Sequence, residues 1–416
     1  MTSLPPYVIY IFSFVSALIL SMMSIPRIIY IAKRKKLFDV PDNNRKIHSR
    51  IIPNFGGVAI FFGFIIISSL TVDTSKFLKW NYIAASALIL FVTGVKDDLL
   101  NLPPLKKIVA QFAAAAITVF FADIRLSSLH GLLGIYELPY LPSAIFSILG
   151  CMFVTNAFNL IDGIDGLAGT IGVLSCLMLG IGLGLEGNTS GACIAFSLMG
   201  GIVGFLRYNI APAKIFMGDT GSLLIGFTIS VLSIMFINSY HGHGEFAGVV
   251  HSPKAVLLVA LAILSIPVFD TFRVFTTRSM KGRSPFRADK THLHHYLLDL
   301  GLSHSSAVSV LFTANVLIIL VSFFVQDYNM NLAVASLSFV AFGLFAILFV
   351  MRRKMVNKVS GPQPGKIGKP EIQISDPSQI SRNTTVNLNG PITLKGNKLN
   401  LEESAPAEIL QDGTNA

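Results

Sequence analysis

Eleven stretches of this chain are long and nearly free of charge: residues 4–26, 54–72, 80–95, 108–122, 138–161, 167–185, 189–206, 220–240, 255–269, 305–326 and 329–351. A helix that crosses a bilayer needs about 20 mostly apolar residues, and all of its backbone polar groups must be satisfied within the segment. The expected fold is therefore an all-α, polytopic membrane protein with about eleven transmembrane helices. The runs at 80–95, 108–122 and 255–269 are short and are expected to extend into their polar flanks. Composition agrees: hydrophobic residues make up 52% of the chain and charged residues 13%, about half the ordinary share of charge. That balance excludes a disordered chain and a basic nucleic-acid-binding surface, and it argues against a soluble globular enzyme. The first run follows an uncharged start and is long enough to span by itself, so no cleavable signal is expected. Cys151, Cys176 and Cys193 sit in apolar stretches without CxxC spacing and read as packing residues.

Orientation follows from Lys and Arg in the loops. Loops 33–53, 96–107, 162–166, 207–219 and 270–304 carry 18 of them, and the alternate set carries 4. The positive-inside rule puts the basic set in the cytoplasm and the N-terminus outside. Beyond residue 355 the chain has no Phe, Trp or Tyr and is rich in Pro, Gly, Asn and Ser. Such a segment buries too little apolar surface to offset its chain entropy. The expected organisation is a transmembrane unit over 1–355 and a polar, disordered cytoplasmic tail over 356–416, with a short β-hairpin near 392–401. The sequon at Asn383 lies on the cytoplasmic side by this topology and is expected to be unused. No internal repeat is visible.

Charge is expensive inside a membrane, on the order of 2.5–3.5 kcal/mol per group at mid-helix, so the acids of such a chain are informative. Asp97 and Asp98 end the third run, Asp162 and Asp165 follow the fifth, Asp219 opens the eighth and Asp270 closes the ninth. All fall at the cytoplasmic ends of spans, although only Lys and Arg were used to orient them. Asp162 and Asp165 are three apart and would share a helix face. Gly163 and Gly166 between and after them allow tight turns. Carboxylates gathered in one place repel unless a cation lies between them, and Mg²⁺, with its preference for oxygen ligands and phosphates, suits such a site. Any one of these acids could instead pair with Lys or Arg of the same loops.

The 270–304 loop carries Arg273, Arg278, Lys281, Arg283, Arg287 and Lys290 and then His292, His294 and His295. A basic loop beside carboxylates suits a polyanion such as a nucleotide pyrophosphate, while topology setting or anionic lipid explains each charge equally well. The HLHH run lacks the HExxH pattern and Cys partners of a zinc site. His241, His243 and His251 read as plain outer-loop residues. In the first loop Lys46, His48 and Arg50 could add contacts to phosphate.

Taken together, VKDDL at 95–99, NAFNLIDGIDGL at 156–167, Asn209 ten residues before Asp219, FMGDTGS at 216–222 and HLHH at 292–295 resemble the polyprenyl-phosphate N-acetylhexosamine-1-phosphate transferases, of the glycosyltransferase 4 type. The resemblance covers about 1–350 and leaves out the tail. It implies attack by undecaprenyl phosphate on the β-phosphorus of a UDP-amino sugar, with Mg²⁺ required and Mn²⁺ as a substitute, giving a sugar-diphospho-lipid and UMP. By motif, Asp219 is similar to the metal ligand. Asn156, Asn159, Asp162, Asp165, Asn209 and Phe216 are similar to the residues around uridine and pyrophosphate, with Phe216 near the uracil. Asp97 and Asp98 resemble the acidic pair at the lipid phosphate, and His292, His294 and His295 the sugar-recognition loop.

The branch that handles the muramyl pentapeptide has three consecutive histidines followed by an aromatic–acidic pair, and a Thr-Pro-Thr first loop. Here Leu293 splits the histidines and the first loop reads Ile52-Pro-Asn. The split histidine run is similar to the UDP-N-acetylglucosamine branch, which starts O-antigen, enterobacterial common antigen or wall teichoic acid, and the first loop lacks the muramyl pattern. The expected partners are UDP-GlcNAc, undecaprenyl phosphate and membrane lipids of a bacterial inner membrane, with no nucleic acid, and a homodimer is allowed. The alternatives are the phospho-N-acetylmuramoyl-pentapeptide transferase and, from another class, a secondary transporter. A transporter would put its acids near the midplane in repeated halves.

Overall fold

In a computed structural model, which describes residues 5–35, 37, 52–239, 250, 252–282 and 292–359, the eleven apolar runs are all helical. In chain order the elements are α1 (Pro6–Lys35), α2 (Gly56–Thr71), α3 (Lys79–Leu100), α4 (Pro104–Phe120), β1 (Ser128–Leu132), β2 (Ile135–Glu137), α5 (Tyr140–Ile161), α6 (Leu167–Leu185), α7 (Thr189–Asn209), α8 (Gly218–Ser239), α9 (Pro253–Ile263), α10 (Ser265–Met280), α11 (Leu293–Asp299), α12 (His304–Val325) and α13 (Met330–Val359). Among the described residues, seven helices are long and apolar enough to cross a membrane, and eight if α9 and α10 form one bent span. This strict count is below eleven for physical reasons. The α2 helix has 16 residues and α4 has 17, and α3 carries charge at both ends. The expected tail beyond Val359, with its 392–401 hairpin, lies outside the described residues, as do Lys46, His48, Arg50, His241, His243, His251, Arg283, Arg287 and Lys290.

The site is positioned by α8. Residues 220–237 of this helix are all buried, as expected for a helix that is apolar all round. It is packed by α2, α3, α5, α6 and α9. Two glycines bring backbones together at its first turn. A Cβ at Gly57 of α2 would lie 2.5 Å from Gly221 Cα, and one at Gly94 of α3 would lie 2.7 Å from Thr220 N. Only glycine permits such approach, so the start of α8 is gripped between two neighbouring helices.

The ninth run is broken, with α9 and α10 meeting at 68°. The freed carbonyl of Ala262 accepts a hydrogen bond from Asn315 Nδ2 at 3.0 Å, and the same amide lies 3.3 Å from Ser265 Oγ. Asn315 is fully buried in the middle of α12, and its amide replaces the helical bond lost at the break. The α10 half then carries Asp270 and Arg273 toward the basic end of the bundle. At the other end, β1 and β2 form a hairpin that the sequence reading did not anticipate. Its turn has Leu133 at φ 54° and Gly134 at φ 76°, two consecutive left-handed residues as a tight two-residue hairpin turn requires.

Candidate active site

The ends of α3, α5, α8 and α12 surround a cavity of about 450 Å³ lined by Asp97, Asp98, Asp162, Asp165 and Asp219, with Asn54, Asn159, Asn209, Phe216 and His304 among the other lining residues. The local chain explains how each acid is presented. Gly218 has φ 70°, which favours glycine, and a Cβ there would also fall 2.6 Å from Asp98 Oδ2. The tight turn at Gly218 starts α8 with Asp219 in its first turn. The free amides of that helix end are taken by Asp98, which accepts from Asp219 N at 2.8 Å and from Thr220 N at 3.1 Å, and from Thr220 Oγ1. A carboxylate is well suited to a helix N-terminus. Asp98 therefore serves here to hold Asp219 in place, with both of its oxygens engaged.

Asp97 and Asp219 meet through a residue that sequence reasoning counted only as a topology charge. Lys107 Nζ, in the first turn of α4, lies 2.5 Å from Asp97 Oδ2 and 2.7 Å from Asp219 Oδ2. The other oxygen of Asp97 accepts from Leu102 N at 2.6 Å. The other oxygen of Asp219 accepts from Asn159 Nδ2 at 2.9 Å, and Asn159 also reaches Ser222 Oγ. Two carboxylates from different helices thus aim at one point, and a cation bridges them. The pairing signal lay in the Lys106-Lys107 step just after Pro103-Pro104, which starts α4 beside the VKDDL turn.

Elsewhere in the lining, Asp165 Oδ2 accepts from Ala213 N at 3.2 Å and lies 3.4 Å from His304 Nδ1. Asn209 donates to Ile215 O and accepts from Gly166 N. It ties the Asp162–Gly166 turn to the segment leading to Phe216, with both ends of its amide engaged by backbone. Asp162 follows the last residue of α5. Burial, and then the carboxylates of Asp219, Asp98 and Asp165, hold its carboxyl well above the usual carboxylate range. Such mutual repulsion is relieved by a bound cation.

The remaining expected site residues lie at the margin. Asn156 sits a turn deeper in α5, paired with Gln111 through Nδ2 at 2.6 Å and Oδ1 at 3.3 Å, and it is not among the residues lining the cavity. The histidine run packs beside the cavity without lining it. His292 Nδ1 is 2.8 Å from Asp270 Oδ2, and Asp270 Oδ1 also takes Leu293 N and Arg273 Nη2. His294 is 2% exposed and rests on Gly163, so closely that a Cβ at Gly163 would lie 2.7 Å from its Cε1. Burial, and next the neighbouring His295, depress the His294 imidazole to about 3. His294 therefore packs directly against the Asp162–Asp165 turn. Tyr296, in the same short helix, is flanked by the guanidinium groups of Arg273 at 5.3 Å and Arg352 at 4.1 Å, and Arg352 pairs with Asp299 at 2.7 Å.

Among the described residues no three His, Cys, Asp or Glu side chains stand close enough to form a ready metal cage. The donors that converge are carboxylate oxygens of Asp97 and Asp219 on a single cationic position. That set fits a hard divalent ion held by one or two carboxylates and completed by water and phosphate oxygens.

Comparison with known proteins gives the same direction. Residues 80–237 match the model of glycosyl transferase family 4. The chain is 31% identical over 309 residues, covering 72% of this chain and 81% of the relative, to a probable undecaprenyl-phosphate N-acetylglucosaminyl 1-phosphate transferase of Bacillus subtilis. It is 32% identical over 276 residues, 65% of this chain and 71% of the relative, to the undecaprenyl-phosphate alpha-N-acetylglucosaminyl 1-phosphate transferase of Salmonella typhi. A decaprenyl-phosphate N-acetylglucosaminephosphotransferase of Mycolicibacterium smegmatis is 31% identical over 287 residues, 64% of this chain and 70% of the relative.

Proposed function

The chain belongs to glycosyl transferase family 4, and from that membership we propose that it transfers N-acetylglucosamine 1-phosphate from UDP-GlcNAc to undecaprenyl phosphate, releasing UMP. It is a multi-pass protein of a bacterial inner membrane. The reaction opens a cell-envelope polysaccharide at the cytoplasmic face, where the basic loops lie. The observation that carries the reading is the convergence of Asp97 and Asp219 on one cationic point at the wall of a cavity lined by five aspartates.

An oxygen of the lipid phosphate forms a bond to the β-phosphorus as the bond from that phosphorus to the bridging oxygen breaks, and UMP departs with the electron pair. Phosphoryl transfer of this kind asks a protein chiefly for alignment and charge neutralisation. A phosphate monoester has a second pKa near ~6, so at neutral pH it is mostly a dianion and needs no base. Asp97 is poorly placed to be one, since both of its oxygens already accept from N–H donors. Its role in this reading is to hold Lys107 against Asp219 and to aim the nucleophile. Lys107 offsets the negative charge of the two carboxylates, which would otherwise repel both phosphates. Asn159 orients Asp219, and Asp98 fixes it to the start of α8. Phe216, on the cavity wall, offers a ring face for the uracil. Mg²⁺, held by Asp219 with Asp97 beside it, would supply charge neutralisation of the diphosphate and polarise the β-phosphorus.

The test is an assay in membranes with undecaprenyl phosphate and a panel of radiolabelled UDP-sugars. Lipid-linked product from UDP-GlcNAc, dependent on a divalent ion, is the expected result. Product only from UDP-MurNAc-pentapeptide would overturn the assignment of the sugar.

A further inference from the structure

Resting on the proposed reaction, we infer that His304 is a sugar-nucleotide-binding residue that contacts the diphosphate from the Asp165 side of the cavity. Among the described residues, five of those lining the cavity are aspartates, and His304 is the one lining side chain of a basic residue. A ligand with two phosphates entering this cavity is repelled by the ionised carboxylates along it. Lys107 offsets that repulsion only at the Asp97–Asp219 edge. Asp165, which lines the same cavity, has His304 beside it.

His304 is also held in a way that suits binding. It is the first residue of α12, and Ser303 caps that helix by accepting from Ser306 N at 3.2 Å. Its backbone position is therefore set by the start of a long helix. Its Nδ1 is 3.4 Å from Asp165 Oδ2, with the imidazole 27% exposed and the carboxylate 10% exposed. In an imidazole the two nitrogens lie on different edges of the ring. Turning Nδ1 toward a carboxylate directs Nε2 away from it, and the carboxylate selects which nitrogen carries the proton. Asp165 is in turn fixed by Ala213 N, on the segment that leads to Phe216. The histidine, the acid and the nucleoside-facing segment thus form one connected edge. His304 lies beyond the HLHH run and is absent from the motifs that carry the family resemblance, so motif reading passes over it.

The experiment uses the full-length protein in membranes and in detergent. His304→Gln and His304→Lys are compared with wild type for KM of UDP-GlcNAc, KM of undecaprenyl phosphate, kcat, and the rise in Tm produced by saturating UDP-GlcNAc. Loss of one charge-assisted contact predicts a KM for UDP-GlcNAc raised roughly 10- to 100-fold in His304→Gln. The KM for the lipid and the Tm without ligand are expected to stay near wild type, and His304→Lys is expected to recover part of the affinity. If both variants instead lower kcat and ligand-free Tm while KM for UDP-GlcNAc stays put, His304 is only a structural anchor and the inference fails. A wild type that binds UDP-GlcNAc alongside a His304→Gln that binds it equally well overturns this inference alone. A wild type with neither binding nor transfer overturns it together with the proposed reaction.

Discussion

Gly163→Ala isolates the contact between the histidine run and the aspartate turn. Gly163 is not one of the positive-φ glycines, so the effect of alanine comes from the space its methyl would fill. That methyl would sit 2.7 Å from His294 Cε1 and closer still to Nε2. Carbon atoms in contact are ordinarily about 3.5–4.0 Å apart, so the turn or the imidazole must move by roughly 1 Å. His294 is 2% exposed and has no open space to enter. Overpacking of this kind costs about 1–3 kcal/mol. A displacement of ~1 Å at residues that position substrate lowers the rate on the order of 100-fold. The assay is transfer of labelled GlcNAc 1-phosphate in membranes, normalised to protein level, alongside thermal unfolding in detergent. His294→Ala removes the obstructing ring, so adding Gly163→Ala to it is expected to change Tm very little. Wild-type activity in Gly163→Ala, or the same loss of Tm with and without the His294 ring, would show that the contact between Gly163 and His294 does not set the turn.

Four further outcomes follow from the geometry. Lys107→Met leaves Asp97 and Asp219 unneutralised and is expected to lower kcat at least 100-fold with the protein still folded, read by the same transfer assay and by detergent Tm. Asp97→Asn is expected to be equally impaired from pH 5.5 to 8.5, and a defect rescued at high pH would restore Asp97 as a base. His294, held neutral down to about 3, takes up no proton in the folded protein where the unfolded chain does below ~6.5. Its contribution to stability is therefore complete above that pH and shrinks as pH falls, by about 2 kcal/mol at pH 5. The Tm of wild type should fall more between pH 7.5 and 5 than that of His294→Leu. Tyr296→Leu removes the ring between Arg273 and Arg352 and is expected to loosen α11, lowering transfer about tenfold, whereas Tyr296→Phe keeps the ring and the activity.

The apolar runs made the helices legible because each had to satisfy its backbone without water, and all eleven are helical. The break between α9 and α10 was not legible, because it depends on Asn315, a residue 53 positions from the carbonyl it satisfies. Clustering of acids at span ends indicated one site; Asp97, Asp98, Asp162, Asp165 and Asp219 line one cavity, whereas Asp270 is outside its lining, buried against His292 and Arg273. Residue type alone could not say which acids are occupied by the fold. Asp98 holds a helix start and Asn209 joins two loops, both through backbone groups that sequence does not display. Lys107 was hidden because a lysine at a span end reads as a topology signal, and its two carboxylate partners come from other helices. His304 was hidden for the same reason, since its partner Asp165 is far away in sequence.

On the proposed reaction, Asp219 directs attack at the β-phosphorus of a sugar nucleotide bound in this cavity. UDP-GlcNAc carrying radioactive phosphorus at the β position, mixed with undecaprenyl phosphate, Mg²⁺ and membranes holding the protein, tests it directly. The label is predicted to move into the lipid with an equal amount of UMP released, and to stay in the nucleotide with Asp219→Asn. Label left in released UDP while the sugar alone reaches the lipid, or full transfer by Asp219→Asn, would show that the β-phosphorus is not attacked in this way.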